Sequence, residues 1–379
     1  MTGLADEQEA LKEDFRAFVA AKVAPFAVQF DREQKISSEL ISKLSDRGYL
    51  TPWLPVEYGG VGMDMVSYGW LTEAIGSACA ATRGVLTVMG MAAQTILKCG
   101  NADQKSEMLP LLASGKRLAS IAITEPNVGS NASKPETEAR PNGDGYVING
   151  LKSWISYGQI ADIFVLLANC EGKPTVFLID RATAGLTVKP VTGLMGMRGA
   201  MLADLVFEDC EISGRAKVGA KGGGFSLVMS TALDHGRYSI AWGCVGLIRA
   251  CLEQSTAYTD QRHQFGKAIK DHQLIKHMVS DMLTSLRCAE LLCVKCGELR
   301  ELGHPTAAAE TMIAKYYGSV AANKAASDSV QMLGANGYSD RYPVERFYRD
   351  AKALEIIEGS SQIQQMTIAD YAYRQYTGV

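Results

Sequence analysis

The chain has 379 residues, 47% of them hydrophobic, and a net charge of −3 with acidic and basic side chains well mixed. That is enough for a large core and for two or three structural units. No basic stripe points to nucleic acid, no polybasic run to an anionic membrane, and no run of about 18 apolar residues could cross a bilayer.

Residues 5–29 have a helical pattern with a break expected at Pro25. Leu11, Phe15, Phe18 and Val19 share one face, opposite Glu, Lys and Asp. Ser37 to Arg47 reads as a second helix stopped by Gly48, and Pro52 to Gly62 as a loop. Val66–Gly76 and Thr82–Lys98 read as largely apolar, buried helices, and Gln104–Ala113 as another. The polar, acidic segment Met1 to Glu13 is unlike a secretory signal.

The texture changes near Leu118. Short runs rich in β-branched and aromatic residues follow, at 146–148, 163–167, 175–179, 186–188 and 205–207. Turn signals such as Asn142-Gly-Asp-Gly145 and Asn149-Gly150 separate them, which predicts an antiparallel sheet ending at the glycine-rich stretch 219–224. From Phe225 the helical period returns over 225–258, 271–301 and 307–334, then in a shorter helix and a last one. The expected fold class is α+β: a helical unit over 1–117, a middle β unit over 118–224, and a helical unit over 225–379.

Nine scattered cysteines, mostly in apolar segments, predict buried thiols in a reducing, cytoplasmic setting. Cys293-Val-Lys-Cys296 has no second pair and no histidine at ligand spacing, so no metal site is expected. There is no GxGxxG dinucleotide fingerprint, no P-loop, no HExxH and no GxSxG.

The stretch 353–364 carries the strongest chemical signal. An apolar helical run breaks at Glu358-Gly359, and Ser360 and Ser361 can cap the next helix. Two readings stand on these residues alone. Glu358 is either a poorly solvated carboxylate with a raised pKa, suited to accept a proton, or a surface glutamate at a helix end.

Four stretches together resemble the flavin-dependent acyl-CoA dehydrogenase family. They are Ile123-Thr-Glu-Pro-Asn-Val-Gly-Ser130, Lys152-Ser-Trp-Ile-Ser156, Arg262-His-Gln-Phe-Gly266 and Ile357-Glu-Gly-Ser-Ser-Gln-Ile-Gln364. The likeness runs nearly end to end, and the family's helix–sheet–helix order agrees with the pattern above. It implies FAD as cofactor, with Ile123 and Thr124 against the ring, Gly129 and Ser130 near the pyrophosphate, Trp154 stacked on the flavin and Ser156 reaching toward N5. Asn131 stands where the family usually has Asp. Arg262, Gln264, Phe265 and Gln273, with Gln331, Gly334 and Ala335, match contacts to the FAD of a neighbouring subunit. Ser360 and Gln362 match contacts to the subunit's own adenylate. A homo-oligomer, tetramer or dimer, is therefore implied.

The resemblance also makes Glu358 the base that removes the α proton of an acyl thioester while flavin N5 takes the β hydride. The thioester oxygen would meet the Glu358 backbone N–H and a ribityl hydroxyl. Ser130, Asp234, Arg237 and Gly359 would line the thioester and pantetheine site. Some relatives carry their base one residue before the matching arginine, but here that residue is Gly236. Electrons would pass to an electron-transfer flavoprotein.

Gly236-Arg-Tyr-Ser-Ile-Ala-Trp-Gly243 and 332–340 look most like the glutaryl-CoA dehydrogenase branch, in which an arginine and a small hydroxyl residue matching Arg83 and Thr87 bind a distal carboxylate. Arg83 and Thr87, four apart, share a helix face. Three readings of Arg83 are open: it binds an acidic acyl group, it pairs internally with Glu73, or it faces solvent. The acyl carrier is either coenzyme A or an acyl carrier protein, since both present the same pantetheine arm. A flavin monooxygenase or a non-catalytic relative of the fold is a further alternative, against which the carboxylate at 358 argues.

Overall fold

Six helices open the chain in the computed structural model, which describes residues 2–378. They are α1 (Thr2–Lys22), α2 (Ala27–Glu33), α3 (Ser38–Asp46), α4 (Met65–Ala78), α5 (Ala80–Cys99) and α6 (Ala102–Ala113). Met1 and Val379, the outer limits of the first and third expected units, lie outside the described residues. The break expected at Pro25 is a short 3-10 turn over Ala24–Phe26. Polar caps fix the starts of these helices. Ser37 accepts from Leu40 N, Asp64 from Val66 N and Ser67 N, and Asn101 forms a reciprocal capping box with Gln104.

The middle of the chain is one eight-stranded sheet. Its strands are β1 (Ala119–Ala122), β2 (Glu138–Asn142), β3 (Gly145–Ile155), β4 (Ile163–Cys170), β5 (Lys173–Asp180), β6 (Leu186–Pro190), β7 (Ala203–Ser213) and β8 (Lys217–Val218). The order is β6-β7-β3-β2-β4-β5-β8, with β1 added beside β4. The sheet is antiparallel except where β4 meets β1 and β2, both of which it pairs in parallel. That departure has a topological cause: β1 enters straight from the helical unit and is not joined to β4 by a hairpin.

A π-turn over Gly224–Met229 leads into α7 (Ser230–Gln261). A small hairpin of β9 (His263–Gln264) and β10 (Lys267–Ala268) follows, then α8 (Gln273–Glu301), α9 (Ala307–Leu333), α10 (Val344–Ile356) and α11 (Ser361–Thr377). α7 is the axis of the helical body. It packs against α4, α5, α8 and α9, and from His235 to Cys251 it is buried almost continuously. Close packing on all sides needs notches. The Trp242 ring fills the space beside Gly69 of α4, and the Arg83 side chain fills the space beside Gly243. One large apolar core joins the helices to the near face of the sheet, and a smaller one, around Phe164, Phe177 and Phe207, fills the other face. No helix among the described residues is long and apolar enough to cross a membrane.

Candidate active site

The connection between α10 and α11 is short, and its backbone is unusual. Glu358 has φ +57° and Gly359 has φ +92°. A non-glycine residue in the left-handed region costs about 1–2 kcal/mol, so other interactions must hold it there. Three side chains do so through two carbonyls. Arg237 Nε donates to the Glu358 carbonyl at 3.0 Å and Gln364 Nε2 donates to it at 3.1 Å. Lys315 Nζ donates to the Gly359 carbonyl at 2.8 Å. Ser360 is the N-cap of α11.

The Glu358 residue as a whole is partly exposed, but its Oε2 is fully buried and has no hydrogen-bond partner. The carboxylate sits over Gly236 of α7, beside the Met91 sulfur of α5. Burial pushes its pKa up to about 7, against the pull of Arg237, Lys315 and Arg83. Burial in turn pushes Lys315 down to about 8 and lowers Arg237. The result is a carboxyl group poised near neutrality, with cations near it but no donor on its inner oxygen.

Arg83 is 1% exposed and does not pair with Glu73, which binds Arg249 at 2.6 Å instead. Two of its sequence readings, the internal pair with Glu73 and the solvent-facing arginine, are therefore wrong. The arginine lies inside the α4–α5–α7 packing, and α7 brings its own partner for Glu73. Arg83 Nη1 donates to the Thr87 hydroxyl at 2.7 Å and to the Ser239 hydroxyl at 3.4 Å, and those two hydroxyls are 2.7 Å apart. Among the described residues no carboxylate forms an ion pair with Arg83. Burial lowers its pKa, opposed by neighbours that include Glu358. Asp234, at the same end of α7, is engaged by Arg300 at 2.8 Å.

A second group of residues lies at the end of the sheet. Ser153 N donates to the Thr124 carbonyl at 2.8 Å, and Lys152 Nζ donates to the Ile123 carbonyl at 2.9 Å, which brings the 123–124 and 152–156 segments together. The buried Lys152 ammonium also pairs with Glu125 at 2.6 Å, and Glu125 accepts from the backbone of Glu136 and Thr137. Trp154 has φ +61° and is 58% exposed, so its ring faces outward. Gly129 and Ser130 lie on an exposed turn, with open space around Gly129. An exposed indole, an open glycine turn and two hydroxyl residues on adjoining segments suit a flat ring with a phosphate tail. α5 links this group to the first: Met89 accepts from Ala119 N at the start of β1, and Met91 lies beside Glu358.

A third group lies apart from both. Arg262, Gln264, Phe265 and Gln273 are exposed on and after the β9–β10 hairpin, with Phe265 at its tip 93% exposed. Gln331, Gly334 and Ala335 are exposed at the end of α9, and Asn336 there bonds the Tyr258 hydroxyl near the end of α7. Arg237 and Arg262 stand at opposite ends of α7, about 37 Å apart by helix rise. Within one chain the hairpin is thus far from the Glu358 loop.

Ser360 caps its helix and Gln362 is exposed beside it. A surface groove of about 770 Å³ between α2, α3 and the start of the sheet contains none of these residues. Sequence reasoning missed Lys315, Gln364, Ser239, Arg300 and the Lys152–Glu125 pair. Lys315 carried a signal: it falls on the buried stripe of α9 with Thr311, Ala314, Gly318, Ser319 and Ala322, where a lysine needs a partner.

Comparison with known proteins covers nearly the whole chain. Residues 5–116, 120–210 and 222–372 match the family models "Acyl-CoA dehydrogenase, N-terminal domain", "middle domain" and "C-terminal domain". The chain is 34% identical to the mitochondrial short-chain specific acyl-CoA dehydrogenase of Mus musculus, over 98% of this chain and 92% of that one. It is 32% identical to a glutaryl-coenzyme A dehydrogenase solved as its glutaryl-CoA complex, with a TM-score of 0.92 over 97% of this chain and 95% of that one. It is 30% identical to the prolyl acyl carrier protein oxidase AnaB, with a TM-score of 0.91 over 97% and 98%.

Proposed function

The chain belongs to the acyl-CoA dehydrogenase family, oxidoreductases acting on CH–CH bonds, and on that footing we propose that it desaturates an acyl thioester with Glu358 as the base. The observation that carries this is the buried, unpartnered Glu358 carboxyl over Gly236, lifted by its burial to about 7. A base tuned near ambient pH is half-ionised there and accepts a proton readily.

FAD is the family's cofactor, and the residues fit it. Thr124, Ser156 and Trp154 would hold the ring and Gly129 and Ser130 the pyrophosphate, with Ile123 against the ring. Bound FAD supplies the acceptor for the β hydrogen. The protein's own part is to take the α proton on the Glu358 carboxylate and to fix the loop that carries it. Arg237, Gln364 and Lys315 do the fixing, which keeps the carboxylate in line with the α-carbon. The Glu358 backbone N–H is the donor we assign to the thioester oxygen. Gly359, Ser130, Asp234 and Arg237 line the pantetheine arm.

Arg83 and Thr87 are assigned to an acidic acyl group, because the guanidinium is buried without a counter-carboxylate. Likeness to a carrier-protein oxidase keeps a carrier-bound acyl group as the second reading of the substrate. Arg262, Gln264, Phe265, Gln273, Gln331, Gly334 and Ala335 are assigned to the FAD of a neighbouring copy, supported by their distance along α7 from the chain's own loop. Ser360 and Gln362 are assigned to the adenylate of the chain's own FAD. The division into 1–117, 118–224 and 225–379 follows the change from helix to sheet and back. An electron-transfer flavoprotein is the proposed acceptor, and the cytoplasm the proposed compartment, in keeping with nine free cysteines.

Glu358→Gln tests the assignment. The variant should keep its FAD and lose thioester-driven bleaching of the flavin by roughly 10²–10⁴-fold. A rate equal to the parent's would remove Glu358 from the reaction.

A further inference from the structure

Residues 191–202 join β6 to β7 and touch both halves of the proposed chemistry. One end of this connection braces the segment assigned to the flavin. Tyr157 N donates to the Ala200 carbonyl at 2.8 Å and Gln159 N donates to the Met201 carbonyl at 3.2 Å. Just beyond, at the start of β7, the Asp204 carboxylate accepts from Trp154 N at 3.3 Å. The other end is seated on α10, the helix that delivers Glu358. The buried Asp350 carboxylate accepts from Met197 N at 2.5 Å, and Arg349 Nη1 donates to the Met195 carbonyl at 3.0 Å. Gly196 lies against the same turn of α10: a methyl there would stand 2.1 Å from the Arg349 carbonyl oxygen.

Between these two ends the chain is short and stiff. A single 3-10 turn, Arg198–Ala200, spans it. Met197 and Met201 on either side have φ +48°, a pose that non-glycine residues resist and keep only where their surroundings dictate it. Both side chains are buried, and Arg198 Nε donates to the Asp31 carbonyl of α2 at 3.1 Å. A shift of α10 is therefore passed on to residues 154–159 and not absorbed between them.

Resting on the dehydrogenase reading above, we propose that this connection is a spacer that sets the gap between the base and the flavin segment, with Gly196 and Asp350 as positioning residues. The α proton and the β hydrogen leave neighbouring carbons about 1.5 Å apart, so one gap must suit both transfers. The Glu358 carboxylate and its backbone N–H ride together on the end of α10. If α10 moves, a thioester held by that N–H moves with the base and out of register with residues 154–157. Removal of the α proton then survives a shift that loss of the β hydrogen does not.

The test uses the FAD-loaded enzyme in D2O with two pantetheine thioesters. Acetyl has α hydrogens and no β carbon, so its exchange reads the base alone: the α C–H breaks, the proton passes to the Glu358 carboxylate, and a deuteron returns to carbon. Bleaching of the flavin by butyryl reads both transfers. Gly196→Ala and Asp350→Ala should each slow bleaching about a hundredfold while acetyl exchange stays within about threefold of the parent's. Asp350→Asn, which keeps an acceptor for Met197 N, should restore bleaching. Amide hydrogen exchange, followed on peptides by mass spectrometry, gives a reading independent of turnover. Asp350→Ala should speed it about tenfold at Met197 and also at Tyr157 and Gln159. Equal losses of acetyl exchange and bleaching would make both residues merely structural, and faster amide exchange confined to Met197 would show the two ends to be uncoupled. Either result overturns the proposal and leaves the dehydrogenase reading standing. A parent that neither exchanges acetyl nor bleaches with butyryl would overturn both.

Discussion

A methyl group placed on Gly236 would stand 2.8 Å from both Cδ and Oε2 of Glu358. The missing side chain of one residue is thus the seat of the other's carboxylate. Sequence alone shows only that Gly236 cannot act as a base; the fold shows that it gives the Glu358 carboxylate its room.

Gly236→Ala should therefore displace the carboxylate with little effect on the rest of the site. A shift of about 1 Å in a reacting group can cost about a hundredfold in rate. We expect kcat to fall by about that factor while KM and FAD content stay nearly constant. Steady-state kinetics and the flavin absorbance ratio check it, and an undiminished kcat would mean that the carboxylate reacts from elsewhere.

The pH dependence follows from the raised pKa. The base must be ionised to accept a proton, so kcat/KM should rise with pH through about 7 and fall away below it. In stability the sign is opposite. The folded value exceeds the ordinary 4.5, so the native state holds more protons, and this group's contribution to stability declines as pH rises from 4.5 to about 7. Arg83 lowers the Glu358 pKa, so Arg83→Met should move the acid limb upward and abolish any preference for glutaryl over butyryl thioesters. An unmoved limb would break the link between the two residues, and an unchanged preference would take Arg83 out of substrate recognition.

The Lys152–Glu125 pair joins the two segments assigned to the flavin ring, and both side chains are fully enclosed. Removing one partner strands the other charge in the interior, at a cost of about 3–5 kcal/mol. Lys152→Met should lower the unfolding midpoint accordingly and weaken FAD retention. The double variant Glu125→Gln/Lys152→Met should recover part of the loss. Thermal unfolding of both proteins decides this, and a single variant as stable as the parent would show the pair to be dispensable.

Much of the fold could be read from periodicity. The helices carry apolar stripes and caps, and five of the strands carry β-branched runs. Three strands of the sheet escaped, among them β8, which is only Lys217–Val218. In β1, Ala119-Ser-Ile-Ala122, small buried residues leave no alternation to read, and β2, Glu138–Asn142, is mostly exposed and contains Pro141. The Glu-Gly-Ser-Ser break around Glu358 was visible because it interrupts an apolar run. Its supports were not, because Arg237, Lys315 and Gln364 come from three helices and meet only in the tertiary structure. Arg83 looked anomalous in an apolar helix, but only the placement of Arg249 beside Glu73 removed its assumed counter-ion.

The backbone at Glu358 has a consequence for descent. Its left-handed φ is one that glycine adopts freely and glutamate resists, so local preference at this site runs against the acid. A lineage freed from proton abstraction would gain firmness by drifting to glycine there. Backbone preference alone does not account for a carboxylate in so unwelcoming a pose, and a cousin of the same shape with glycine there would be one released from the duty proposed for it.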